Sequence, residues 1–262
     1  MVMFWHKPPW HEGRNKHRLG LRPVEMDDLW SNDADLLDNK RKQLAQNYPA
    51  TVRTLVAYET VALPVPGVAP ANEYPDWIAN VGAVVADDLC LIDTRHENRF
   101  VAGCLAAPSY WSLADKLGKR LFAVHGEVQG MNRKIGRRID EFFRRLPAHR
   151  PHRRENWFVH PERVYFRSDA AACSGLSRDL NDAYFRCEKQ TFLRLNERFV
   201  LFIIGVHFAP LCELGAYPEA RSQLTMALQQ MDDDEIAHFG GVAKHARLSD
   251  YVALLGASAT QG

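Results

Sequence analysis

Two long segments joined by a very short turn constrain this chain more than anything else in it. Tyr184 to Leu195 carries Arg186, Glu188, Gln190 and Arg194 at positions of one parity, and the apolar run Phe199 to Phe208 follows at once. Successive side chains of a strand point to opposite faces, so the four polar residues line one face if the segment is extended. Asn196 to Arg198 supply a turn, and the pair reads as an antiparallel hairpin. Charges beside a buried strand have to pair with one another or hold something, because an uncompensated charge away from water is too costly to keep.

The remaining segments suit a sheet with helices around it. Ser31 to Tyr48 reads as a helix, with Leu36, Leu37 and Leu44 near helical spacing, Asp33 and Asp35 early, and Lys40, Arg41 and Lys42 later, as the helix dipole favours. Pro49 stops it. Leu63 to Pro70 is a proline-rich loop. Val81–Val85, Leu89–Ile92 and Phe100–Leu105 read as strands of an antiparallel meander, with turn chemistry at Asp87-Asp88 and at His96 to Asn98. Pro108 to Lys116 opens a short helical segment that Gly118 ends. Ile135, Ile139, Phe142, Phe143 and Leu146 mark an amphipathic helix closed by Pro147, and Pro218 starts another through Leu224, Leu228 and Met231. Residues 1–18 read as an irregular N-terminal arm that packs on a surface, and residues 251–262 as a C-terminal tail. The order helix, strands, helix, strand pair, helix predicts an α+β fold with a mainly antiparallel sheet.

Composition narrows the partners. The 33 basic and 32 acidic residues leave a formal net charge of +1 over 262 residues, which gives no push toward nucleic acid or an anionic membrane. The basic run Arg144 to Arg154 therefore reads as a solvated helix end. No apolar run is long enough to span a membrane, and the opening residues lack the apolar core of a signal peptide. Five cysteines, with no CxxC pair, point to reduced thiols and a cytoplasmic chain.

Several blocks, in order, carry a resemblance: Leu19-Gly-Leu21 with Trp30 and Lys40-Arg-Lys42; Gly103-Cys-Leu-Ala-Ala-Pro-Ser-Tyr-Trp111; Lys116-Leu-Gly118; Val124-His125; Arg154-Glu-Asn-Trp157; Arg186-Cys-Glu-Lys-Gln-Thr-Phe-Leu-Arg-Leu195; and Pro210-Leu211. Over residues 19–240 the chain resembles the haem-dependent oxidative N-demethylase alpha subunit-like family. It departs from the pattern at His125-Gly-Glu-Val-Gln, where the family has two prolines. It departs again at Gly205-Val-His207, where the family often has Arg-Thr-Tyr, and at His238-Phe-Gly-Gly.

The resemblance implies a PAS-like fold, a single domain over residues 19–250, and bound haem b. It implies O2-dependent oxidation of a small methylamine with aldehyde release. Electrons come from an external donor, a reductase partner or subunit, since no flavin, nucleotide or iron–sulfur fingerprint is present. His125 is the first choice for the axial iron ligand, with His160 and His207 as alternatives. Arg154, Arg186 and Arg194 are candidates to face the haem or its propionates, and Trp111 and Trp157 are core or cofactor-packing rings. Glu188, with Arg186, is the candidate to orient an amine or move its proton, against the simpler role of an ion pair with Arg186 or Arg194. Two rival readings are a non-catalytic PAS-like sensor of haem or a small ligand, and a degenerate interaction subunit.

Overall fold

Tyr184–Arg194 and Phe199–Pro210 form the expected hairpin, paired antiparallel from Arg194 opposite Val200 to Tyr184 opposite Pro210. Asn196 closes the turn: its side-chain oxygen accepts from the backbone N–H of Arg198 and of Phe199, both at 2.8 Å. The computed structural model describes residues 2–11, 20–55, 60–65, 67, 72–120, 141–168 and 179–258. Its strands are β1 (Arg22–Pro23), β2 (Val52–Thr54), β3 (Asp88–Asp93), β4 (Arg99–Cys104), β5 (His152–His160), β6 (Tyr184–Arg194) and β7 (Phe199–Pro210). Among the described residues they make one seven-stranded sheet in the order β1-β5-β6-β7-β3-β4-β2, with every neighbouring pair antiparallel.

The fold is α+β, as the element order predicts. Helices cover one face of the sheet in two groups. Pro218–Gln229, Asp233–Phe239 and Val242–Ser258 pack over β5, β6 and β7 through Trp157, Val159, Phe185 and Ala209. Ala34–Asn47 and Trp77–Gly82 pack over β3 and β4 through Leu44, Ile78, Leu89 and Ala102. Local chemistry sets the helix ends. The Asp33 carboxylate accepts from Leu36 N at 3.1 Å, Pro218 sits in the first turn of its helix, and Asp232 and Glu235 form a reciprocal capping box. The Asp233–Phe239 helix ends at Gly240, whose φ of +121° is open to glycine alone without strain.

Three local expectations change. Val81–Val85 is not a strand: Trp77–Gly82 is helical, and Ala83 and Val84 turn the chain toward β3. A short apolar run carries no period that separates a buried helix from a buried strand. The N-terminal arm is also not irregular throughout. Val2–His6 is helical, and Trp10 is fully buried, its indole N–H donating to Ala220 O at 2.9 Å. Trp10 packs on Phe185 and Trp157, with ring centroids 4.5 and 5.3 Å apart, so the arm completes the core between sheet and helices. At the other end, the helix Val242–Ser258 runs through position 251, where the tail was expected to begin. Val252 is buried in the same core, and that apolar contact is what carries the helix on.

The second face of the sheet carries the charged residues. It is covered by the loop after β4, by residues 110–113 and by helical residues 141–145. Cys90, Leu105 and Leu113 cluster with Trp111, Phe202 and Ile204, while Ile92, Phe143, Leu146 and Val200 cluster with Phe192 and Phe202.

Candidate functional site

Register places the polar residues of β5 and β6 side by side. Arg154 lies opposite Gln190, Asn156 opposite Glu188, Phe158 opposite Arg186 and His160 opposite Tyr184, all on the face turned away from the C-terminal helices. The shared parity of Arg186, Glu188 and Gln190 is therefore real. Arg186 is 1% exposed. One of its terminal nitrogens donates to Glu188 Oε1 and the other to Ala107 O at 2.5 Å. Gln190 Nε2 donates to the second Glu188 oxygen at 2.7 Å. The ion pair with Arg186, one of the two expectations for Glu188, is the arrangement that forms. Arg154 is half-buried in the same wall. Burial pulls its guanidinium below the ordinary value, and the Glu188 carboxylate opposes that shift.

His160 belongs to this wall too. It is 3% exposed, with its ring stacked on Tyr110 at 5.3 Å and edge-on to Phe208 at 6.3 Å. Tyr110 adopts φ +62°, a left-handed backbone that non-glycine residues rarely enter. The loop holds it there: Tyr110 N donates to Arg167 O at 2.8 Å, and Arg167 N donates to Pro108 O at 3.2 Å. The Arg167 guanidinium lies 5.7 Å from the Tyr110 ring.

Other expected site residues lie elsewhere. His125 lies outside the described residues. Trp157 has the opposite parity from Arg154 and faces the helices, packed on Trp10, Phe185 and Phe239. Of its two expected roles, core ring or cofactor-packing ring, its surroundings are those of a core ring. Arg194 shares the face of Glu188 but sits far along β6. Its Nε donates to Leu146 O at 2.7 Å and a terminal nitrogen to Phe143 O, so it caps the end of the helical residues 141–145.

His207 points to the helix side. Its Nε2 makes no hydrogen bond among the described residues, and burial, reinforced by Lys189 and opposed by Asp33, lowers its pKa to about 4. Gly205, two residues earlier on the same side, leaves space that a Cβ would lose: it would lie 2.5 Å from Asp87 Oδ1 and 2.7 Å from Ser31 Oγ. The imidazole titrates lower in the folded chain than in the unfolded one. The unfolded state therefore binds the extra proton between about pH 4 and 6.5, and stability is lost as pH falls through that window. The expected loss is about 3 kcal/mol. Urea unfolding from pH 7 to 4 should show that slope, and His207→Gln should flatten it. An equal slope in the variant rejects the assignment.

Sequence reasoning missed a buried ion pair beside the wall. Lys40 Nζ reaches Asp88 Oδ1 at 2.8 Å, with side chains 2% and 4% exposed, and also donates to Asp87 O at 2.6 Å. Burial alone would lower the Lys40 ammonium, but Asp88, Cys104 and Asp87 outweigh it and hold it raised. A signal was present. Lys40 falls midway between Leu36 and Leu44, at four-residue spacing on the buried stripe of its helix. A recess lined by Leu36, Lys40, Asp88, Ala107, Tyr165 and Val206 adjoins the pair and encloses about 10 Å³, room for about one water.

Fold and site together define an α+β protein built on one antiparallel sheet, with a half-buried charged wall on one face. The family model for haem-dependent oxidative N-demethylase, alpha subunit-like proteins matches residues 33–247, and the chain belongs to that family. A search of curated proteins finds no match to it. The family name implies haem dependence, and the donor set of the wall is compatible with that group. It brings together a buried imidazole at His160, guanidinium groups at Arg154 and Arg186, and the rings of Phe158, Phe208, Tyr110 and Tyr165. Among the described residues no group of three or more His, Cys, Asp or Glu is placed to hold a bare metal ion. Haem needs no such group, because the porphyrin supplies four nitrogens and asks the protein for axial ligation alone. No helix among the described residues is long and apolar enough to cross a membrane.

Proposed function

We propose that this chain is a haem-binding oxidoreductase of PAS-like build that oxidises a small methylamine with O2 and releases an aldehyde. The observation that carries the reading is the wall of Arg154, Arg186, Glu188 and Gln190, the last three from the sequence block Arg186–Leu195 that most resembles the family. Haem b, when bound, supplies the activation of O2. In this reading His125 would hold the haem iron, with His160 as the second candidate. Arg154 and Arg186 would hold the propionates, which need cationic donors when they are withdrawn from water. The Glu188 carboxylate would orient an amine N–H, with Arg186 and Gln190 fixing its plane. Electrons come from an external donor, a reductase partner or subunit, in the cytoplasm.

The closed Arg186–Glu188 pair also supports a second reading, a haem or small-ligand sensor in which the wall only shapes the pocket. Reconstituted protein supplied with a reductant, O2 and a panel of methylamines separates the two. Formaldehyde release that falls at least tenfold in Glu188→Gln supports the enzyme. Haem binding without any formaldehyde supports the sensor.

A further inference from the structure

The Lys40–Asp88 pair is a costly feature that the proposed chemistry does not use. Taking two charges out of water is repaid only by good geometry and further hydrogen bonds. Asp88 has them: Oδ1 accepts from Lys40 and from Ala106 N at 2.8 Å, and Oδ2 accepts from Ala107 N at 2.9 Å. The same Ala107 offers its carbonyl to Arg186, and Arg186 holds Glu188. A continuous hydrogen-bonded path therefore runs from the helix Ala34–Asn47, across the first residue of β3 and the loop after β4, into the middle of the charged wall. The peptide carrying the Ala107 N–H is fixed by Asp88, and Ala107 precedes Pro108, which restricts its own φ and ψ and so limits where its carbonyl can point.

We infer that Lys40 and Asp88 are positioning residues for the wall, setting the Arg186 guanidinium, and through it the Glu188 carboxylate, by anchoring the Ala106–Ala107 loop. This rests on the proposed function only in treating the wall as a haem-facing surface; the coupling itself does not. A pair that merely stabilised the helix would leave Arg186 untouched.

The test uses the full chain with 15N-labelled arginine. A guanidinium held by Ala107 O and Glu188 rotates slowly, so Arg186 gives resolved terminal N–H resonances, assigned by their loss in Arg186→Lys. In Asp88→Asn the amide keeps one acceptor for two N–H donors, and those resonances collapse to the averaged position while the Arg194 signals stay. The double variant Lys40→Met with Asp88→Asn leaves no unpaired charge and guards against a single variant that does not fold. It is expected to lose the Arg186 signals too. In the wild-type chain, the Arg186 terminal protons and the Ala106 and Ala107 amides should exchange with solvent in one protection class. Retained Arg186 signals in either folded variant, or free exchange at Arg186 beside protected loop amides, overturn the inference. Haem titration keeps the two ideas apart. Affinity about tenfold weaker in Asp88→Asn, the scale of losing an outer-shell partner, supports both. Lost Arg186 signals in a protein that binds no haem remove the functional reading and leave the coupling standing.

Discussion

Arg186→Ala should cost about 3 kcal/mol of unfolding free energy, the scale of removing one partner from a buried pair. The argument is one of what is left behind. Arg186 is 1% exposed and Glu188 has a side chain 12% exposed, so the variant takes the bonded guanidinium from a carboxylate in a poorly hydrated place and leaves Ala107 O without its donor. Two corollaries make the prediction specific. Adding Glu188→Gln should return about 1 kcal/mol, because the carboxylate that lost its bonded guanidinium is gone. Arg186→Lys should do worse than a conservative change usually does, since a single ammonium cannot reach Glu188 and Ala107 with the fixed fork of a guanidinium. Urea denaturation of the single and double variants gives the coupling directly. Additive effects would mean that the pair contributes nothing to the fold.

Trp10→Ala should cost about 4 kcal/mol, close to the upper end for an aromatic deletion from a core. Trp10 has no exposed surface, packs on Phe185 and Trp157, and donates to Ala220 O. Its neighbour Trp5 donates to Glu213 and stacks on Tyr217 at 5.5 Å, so collapse of the cavity is resisted from two sides. For a domain of this size the melting temperature should fall by about 10 °C. Trp10→Phe should lose less, chiefly the indole hydrogen bond, about 1 kcal/mol. A Trp10→Ala chain that melts like the wild type would show that residues 2–11 do not belong to the core.

The central hairpin was legible because two signals agreed. Length and parity fixed β6, and the apolar run after a three-residue turn fixed β7. The α+β class followed from the order of elements. What failed was information the local sequence does not hold. Trp5 and Trp10 read as an arm because no period surrounds them; only the groove between β6 and the Pro218–Gln229 helix, built by residues about 200 positions away, makes them core. Trp157 could have been separated from Arg154 by parity alone, since residues three apart on a strand face opposite ways. The Lys40–Asp88 pair was hidden for a different reason. Lys40 looked like one of three dipole-stabilising cations and Asp88 like turn chemistry, and only β3 beside the helix brings them within 2.8 Å. Within the wall, Arg186, Glu188 and Gln190 were found by parity, Arg154 came from the resemblance, and the Tyr110–His160 stack is visible only in the fold.

The claim that this wall faces haem is tested most directly by one absorbance titration. Purified full chain, reconstituted with haem and freed of excess, should show a Soret band at one haem per chain, shifted and weakened in Arg154→Ala and altered in His125→Ala. No Soret band after reconstitution of a folded wild-type chain would contradict the account.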